Sequence, residues 1–346
     1  MKSLPIPSRA LAALLLLLAG VSESRAVGSF QIQLQLGPTL AGNAPAAAAF
    51  ARAASLWEAR IADDVTVVIK ADLASLPNGV IGSTSSVLLY GDNYAELRDA
   101  MVADSLAEGD TLAAALPTFA QLQVSLPAGR SVNNSLFATQ ANLKALGFTG
   151  LEAISGHNED ATVTFSSNFS FDFDNSDGVA FYELDFETVA AHEIGHALGF
   201  ISALDDVDAT TAAQYPFVTL GVLDLFRFPT GALPATAAEF TTFMRDVTPG
   251  ANDSFSDTTQ TYRMATGVSG GDGRQGSHWK DATGSGDFIG LMDPTLAYGT
   301  FYGVSEADLR ALDVIGWEVV PEPGSAALAT IGGLSLCVRR RRMQPA

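Results

Sequence analysis

Two histidines four residues apart, with a glutamate beside the first, are the residues of this chain best suited to chemistry: His192-Glu193-Ile194-Gly195-His196. Residues four apart share one face of an α-helix, so both imidazoles can bind a single ion. Glu193 then stands next to the first ligand and can reach a water on that ion without ligating it. Zinc lowers the pKa of such a water towards ~7, and a carboxylate can take its proton as it attacks a carbonyl. The spacing therefore supplies two ligands and a base. A catalytic zinc also needs a third protein ligand and an open position. Asp205, Asp206 and Asp208 lie just downstream and offer carboxylate oxygens; His278, much further on, offers an imidazole.

The element that must carry the pair is a helix over 185–200. Asp185 is a suitable N-cap, Glu187 falls in the first turn where the helix dipole favours an acid, and Gly199 suits the left-handed stop. Upstream, Phe30 to Leu36 alternates apolar and polar residues as a half-buried strand does. Pro45 precedes an Ala-rich helix over 46–60, and the β-branched run Val65 to Ile69 reads as the next strand. A helix follows over 94–106, then a strand pair at 161–165 and 169–173. This order predicts an α/β or α+β N-terminal half. Residues 202–277 are looser, with many Asp, Thr, Gly and Pro around the apolar run Val222 to Phe228, and 267–276 reads as a loop. Ser305 opens a Ser-x-x-Asp capping pattern, so 305–312 should be a short helix. No internal repeat is present.

Both ends read as processing segments. Lys2 and Arg9, the apolar run Leu11 to Val21 and Ser24-Arg25-Ala26 describe a signal peptide over 1–26. At the other end, Val320-Pro321-Glu322-Pro323-Gly324 leads into an apolar stretch and the arginines Arg339 to Arg342. That order resembles the PEP-CTERM sorting tail of Gram-negative bacteria. The resemblance implies an exported protein of the cell envelope or extracellular matrix. Its tail, 320–346, would anchor it transiently in the membrane until an exosortase-type enzyme acts.

The formal net charge is −19, and the end segments carry most of their charge as Lys and Arg, so the region between them is more acidic still. Such a surface argues against nucleic acid as a partner. The single cysteine, Cys337, lies in the tail, which leaves no disulfide, cysteine nucleophile or cysteine metal site in the main domain.

Ala191-His192-Glu193-Ile194-Gly195-His196-Ala197-Leu198-Gly199-Phe200 resembles the active-site helix of metzincin zinc peptidases. In most of that clan the third histidine comes three residues after the final glycine, where this chain has Ser202. Leishmanolysin-like peptidases instead place a long insertion there. The order Gly276-Ser277-His278-Trp279, Leu291-Met292-Asp293-Pro294 and Asp313-Val314-Ile315-Gly316-Trp317 is similar to their ligand segment, methionine turn and closing helix. The resemblance implies an α+β metzincin-like catalytic domain over 27–319, with a mixed sheet, the active-site helix, an insertion at about 203–270 and a methionine turn at Met292. It also implies His192, His196 and His278 on zinc, Glu193 as general base, and a protein or peptide substrate. A long connection to the third ligand is no obstacle, since each doubling of loop length costs only ~0.6 kcal/mol. Leishmanolysin-type enzymes are rich in disulfides and this chain is not, which implies a distant relative.

Three further features remain. Asp172, Asp174 and Asp177 surround a glycine turn with chemistry suited to calcium, though the later bidentate Glu of the EF-hand spacing is missing. Tyr298 is a candidate to polarise a substrate carbonyl, and His157 reads as a surface-loop residue. The leading expectation is an exported zinc endopeptidase. The alternatives are a non-catalytic surface or matrix protein on a peptidase scaffold, and a metal hydrolase of non-peptide substrates; an intact Glu193 disfavours the former.

Overall fold

The computed structural model describes residues 30–108, 112–282 and 288–320. The signal peptide expected over 1–26, and the sorting tail beyond Val320, lie outside the described residues. Among the described residues no helix is long and apolar enough to cross a membrane.

A four-stranded mixed sheet positions the motif helix. Its order is Gln31–Leu36, Thr66–Ala74, Ala161–Ser166 and Gly82–Ser86; the first three run parallel and the last is antiparallel to its neighbour. The strand Ala161–Ser166 is interior, and its alternate residues Ala161, Val163 and Phe165 are fully buried. The Phe165 ring meets Phe50 of the Ala44–Glu58 helix at 5.2 Å and Phe186 of the motif helix Phe186–Leu198 at 4.6 Å. Both helices therefore cover the same face of the sheet. They are also joined directly, because the indole of Trp57 donates to the Ala191 carbonyl oxygen at 2.9 Å.

Several expected elements differ in extent. The first long helix begins at Ala44 rather than residue 46, because the Asn43 side chain accepts from the Ala46 amide and caps it there. The strand expected over 65–69 continues to Ala74, its second part, from Ile69 on, pairing with Ala161–Ser166. The strand pair expected at 161–165 and 169–173 does not form. Ala161–Ser166 already has both edges occupied, and the second segment contributes only Phe171–Asp172, paired parallel with Leu184–Asp185.

The segment 203–270 is less loose than its composition predicts. It contains the strand Phe217–Gly221, which joins Ser131–Thr139 and Leu88–Tyr90 in a three-stranded sheet. The apolar run is a 3-10 turn, Val222–Phe226, followed by Arg227–Pro229, the first strand of an antiparallel trio with Asp253–Ser256 and Thr261–Arg263. Arg245 is fully buried here, its guanidinium over the rings of Phe228 and Phe240 at 4.6 and 4.8 Å. Buried apolar residues from Phe30 to Trp317 form one continuous core. The architecture is mixed, with several sheets and helices gathered on the first, as expected of the α+β class.

Candidate metal centre

The motif helix starts and stops where its sequence says it should. The Asp185 carboxylate accepts from the Thr188 amide at 2.7 Å and from its hydroxyl at 2.6 Å, and Glu187 pairs with Arg52 at 2.7 Å. Gly199 takes a φ of +123°, a conformation that favours glycine, and Trp317 donates its indole N–H to the Leu198 carbonyl oxygen at 2.7 Å.

On this helix His192 and His196 face a third imidazole from far along the chain. His278 Nε2 lies 3.2 Å from His192 Nε2 and 3.3 Å from His196 Nε2. Each ring turns its other nitrogen to a backbone carbonyl: His192 Nδ1 to Leu291 at 2.8 Å, His196 Nδ1 to Phe200 at 2.8 Å, and His278 Nδ1 to Gln275 at 3.2 Å. A carbonyl oxygen only accepts, so these contacts put the proton on Nδ1 and leave all three Nε2 lone pairs converging on one point. Burial holds His196 down to about 3, with His192 adding to the effect and the Phe200 carbonyl opposing it. Burial, aided by His196 and His192, likewise keeps His278 well below the usual imidazole range. Three converging acceptors with no donor between them are what a metal ion requires. Among the described residues these three histidines are the only group of side chains able to hold one.

The strap that delivers His278 is held by groups its own sequence does not announce. Asp205 is not gathered with the three histidines. Its carboxylate accepts from the Gly276 amide at 2.5 Å, the Ser277 amide at 3.3 Å and the Ser277 hydroxyl. Asp208 accepts from the amides of Ser269 and Gly270, both at 2.7 Å, and Asp206 is exposed on the cleft wall. Ser202 donates its amide to Ser277 Oγ at 2.9 Å and its hydroxyl to the buried Asp224 at 2.6 Å. Beneath the strap, the fully buried Arg227 pairs with Asp253 at 3.2 Å and donates to the carbonyl oxygens of Gly276 and Ala265.

Behind the histidines, Met292 is fully buried, with its sulfur against Gly195 of the motif helix. The turn that carries Met292 is fixed by Asp308, in the first turn of the Glu306–Asp313 helix. This buried carboxylate accepts from the Leu291 amide at 2.7 Å, the Met292 amide at 3.1 Å, the Trp279 indole at 2.8 Å and the Ser305 amide at 2.8 Å. One acid thus joins the residue after His278, the turn that carries Met292 and the cap of the last helix. The Ser-x-x-Asp pattern in the sequence shows only the capping role of Asp308.

Glu193 is buried beside the histidines, and burial pushes its carboxyl above the ordinary value, against the pull of His192 and the Thr84 hydroxyl. Above it runs a cleft of about 790 Å³, walled on one side by the edge strand Gly82–Ser86 and on the other by residues such as Phe288 and Tyr302, whose rings stack at 4.0 Å. Tyr298 is not part of the cleft; it is half exposed in a turn, and Tyr302 holds the aromatic position there.

The remaining candidates stand apart from the centre. His157 is exposed and pairs with Glu159 at 3.2 Å. Asp172, Asp174 and Asp177 are not gathered as a calcium site. Asp172 spends its oxygens on the amides of Asp174 and Ala180, and Asp174 accepts from Ser176. No protein-family model, curated protein or solved structure matches the chain.

Proposed function

We propose that the protein is a zinc-dependent endopeptidase, metzincin-like in its catalytic domain and resembling the leishmanolysin-like peptidases in plan. The observation that carries the reading is the convergence of three imidazole Nε2 atoms beside a buried carboxylate at the floor of an open cleft. Nitrogens at zinc's usual distance of about 2.0–2.1 Å and tetrahedral angles stand about 3.3 Å apart. The 3.2 and 3.3 Å separations from His278 match that spacing. Three histidines would hold it and leave a fourth position to water or substrate, the ligand set of a catalytic rather than a structural site.

When bound, zinc would supply a Lewis acid that polarises a carbonyl and eases deprotonation of water. Glu193 takes the proton of the water that adds to the scissile carbonyl and passes it to the leaving nitrogen. The strand Gly82–Ser86 ends its sheet, so its outer edge is available to an extended peptide, and that suits a substrate entering as an added strand. Met292 serves as a packed floor and makes no bond to the ion.

The test is hydrolysis of casein by purified protein, with and without a chelator, and with zinc restored. Activity should vanish on chelation and return with zinc. Glu193→Gln should retain zinc while the rate falls by about 10²–10⁴. Near wild-type digestion by that variant would reject the mechanism. The same reading takes the protein as exported and sorted through its tail, so mass spectrometry of the native envelope protein should find no peptide containing Arg339 to Arg342. An intact C-terminus there would reject the sorting role.

A further inference from the structure

The edge strand that walls the cleft also grips the motif helix through small polar residues. Positions 82, 84 and 86 are half-buried against it, while Ser83 and Ser85 are exposed. Ser86 donates its hydroxyl to the His196 carbonyl oxygen at 3.1 Å. Thr84 Oγ1 lies 2.6 Å from Glu193 Oε2 and 2.9 Å from the Glu193 carbonyl oxygen. Gly82 faces the other carboxylate oxygen: a β-carbon there would stand 2.4 Å from Oε1 and 2.9 Å from Cδ. Oε1 has no hydrogen-bond partner among the described residues, yet it is not among the polar atoms sealed from solvent without one.

We infer that Thr84 and Gly82 divide the two oxygens of Glu193 between them. The Thr84 hydroxyl fixes Oε2 and so the plane of the carboxylate, and the bare backbone at Gly82 leaves Oε1 the room and the open lone pairs to act as the base. This rests on the peptidase reading for its chemistry, though not for its geometry. A glutamate has three rotatable side-chain bonds, and a hydroxyl donating to a carboxylate is among the stronger bonds able to hold one orientation. The arrangement depends on strand register, because a slip by one residue would turn positions 82, 84 and 86 away together. Thr84 is a positioning residue here, acting through Glu193.

Three variants test it: Thr84→Val, Thr84→Ser and Gly82→Ala. Each is assayed for kcat and KM on one peptide, for bound zinc by elemental analysis, and for the Glu193 conformation by crystallography. Thr84→Val keeps the shape and removes the donor. It should lower kcat by about 10–100-fold, part of the general-base contribution, with KM within about twofold and zinc unchanged. Thr84→Ser should restore most of the rate, and Gly82→Ala should displace Oε1 and slow the enzyme with zinc retained. Full kcat in Thr84→Val, or a Thr84→Ser enzyme as slow as Thr84→Val, would overturn the inference. So would loss of zinc or of folding in Thr84→Val, which would make Thr84 a brace of the scaffold. If the wild type cleaves no peptide, the peptidase reading fails by itself, and the crystallographic comparison still decides Thr84: an unmoved Glu193 in Thr84→Val refutes it.

Discussion

Met292 presses its sulfur so closely on Gly195 that a β-carbon at that glycine would stand 2.4 Å from Sδ. The glycine inside the motif is therefore a packing residue, and it sits between the two histidines on the helix turn nearest the methionine. Gly195→Ala should gain about 0.5–1 kcal/mol from helix propensity and lose about 1–3 kcal/mol to overpacking, so the net effect is destabilising. In a Met292→Ala background, itself weaker by about 2–5 kcal/mol, the same substitution should become neutral or stabilising. Urea unfolding of the four proteins measures the cycle. An equal cost for Gly195→Ala in both backgrounds would contradict the contact.

His278 and Asp205 should separate cleanly by metal analysis. On the peptidase reading, His278→Ala removes a ligand and should abolish stoichiometric zinc. Asp205→Asn keeps the ligands and loosens the strap, so zinc should remain with an affinity lower by about 10–100-fold, the usual effect of disturbing a ligand's support. Elemental analysis and chelator competition read the two. Zinc bound normally by His278→Ala would remove that histidine from the site.

Asp308 holds four N–H donors with two oxygens in a fully buried position. Asp308→Asn sets an NH₂ group against donors, and each buried N–H left without an acceptor costs about 1–3 kcal/mol. Because Leu291 receives the His192 Nδ1–H and is itself tied to Asp308, zinc affinity should fall along with stability. Thermal unfolding of the apo and zinc-loaded forms would show both losses. A variant as stable as wild type would rule out the tie.

Asp63 should impose a pH dependence on stability. Burial raises its carboxyl to about 7, the Glu318 amide at 2.8 Å opposes this, and the negative Asp104 and Glu318 add to it. The folded state then binds a proton that the unfolded chain has lost, so this stabilisation is full at acid pH and declines as pH rises from about 4 towards 7. Asp63→Asn keeps an oxygen acceptor for the Glu318 amide and removes the titration. Its stability should match wild type near pH 4 and exceed it at pH 8, by urea unfolding. A wild-type advantage at pH 8 would mean the carboxylate is favoured in the fold.

The helix and its two histidines were legible because local chemistry writes them: Asp185 caps, Gly199 stops, and the 3.6-residue repeat sets both imidazoles on one face. The first strand was legible from its alternation, and His278 from the order of motifs around it. The strand Gly82–Ser86 was not, since its inward side chains are absent or hydroxylated and carry no apolar signal. Its inner face meets the working helix, where a hydrophobic residue would have no partner for the carboxylate. Asp205 and Asp308 were unreadable in their true roles for a related reason. A buried acid satisfied by backbone amides looks, in sequence, like any surface acid, and only the fold brings its donors to it. The segment 203–270 hid its strands behind short lengths and polar turns.

The third imidazole lies 82 residues beyond His196, on the far side of the segment that carries the small sheets. On the peptidase reading, a chain still being made possesses Glu193 and two ligands long before it can hold an ion firmly. Hydrolytic competence then waits on synthesis and docking of everything up to the strap. A cell that manufactures such an enzyme would be shielded from it by the order of translation itself, with no separate inhibitory segment required while the chain is incomplete.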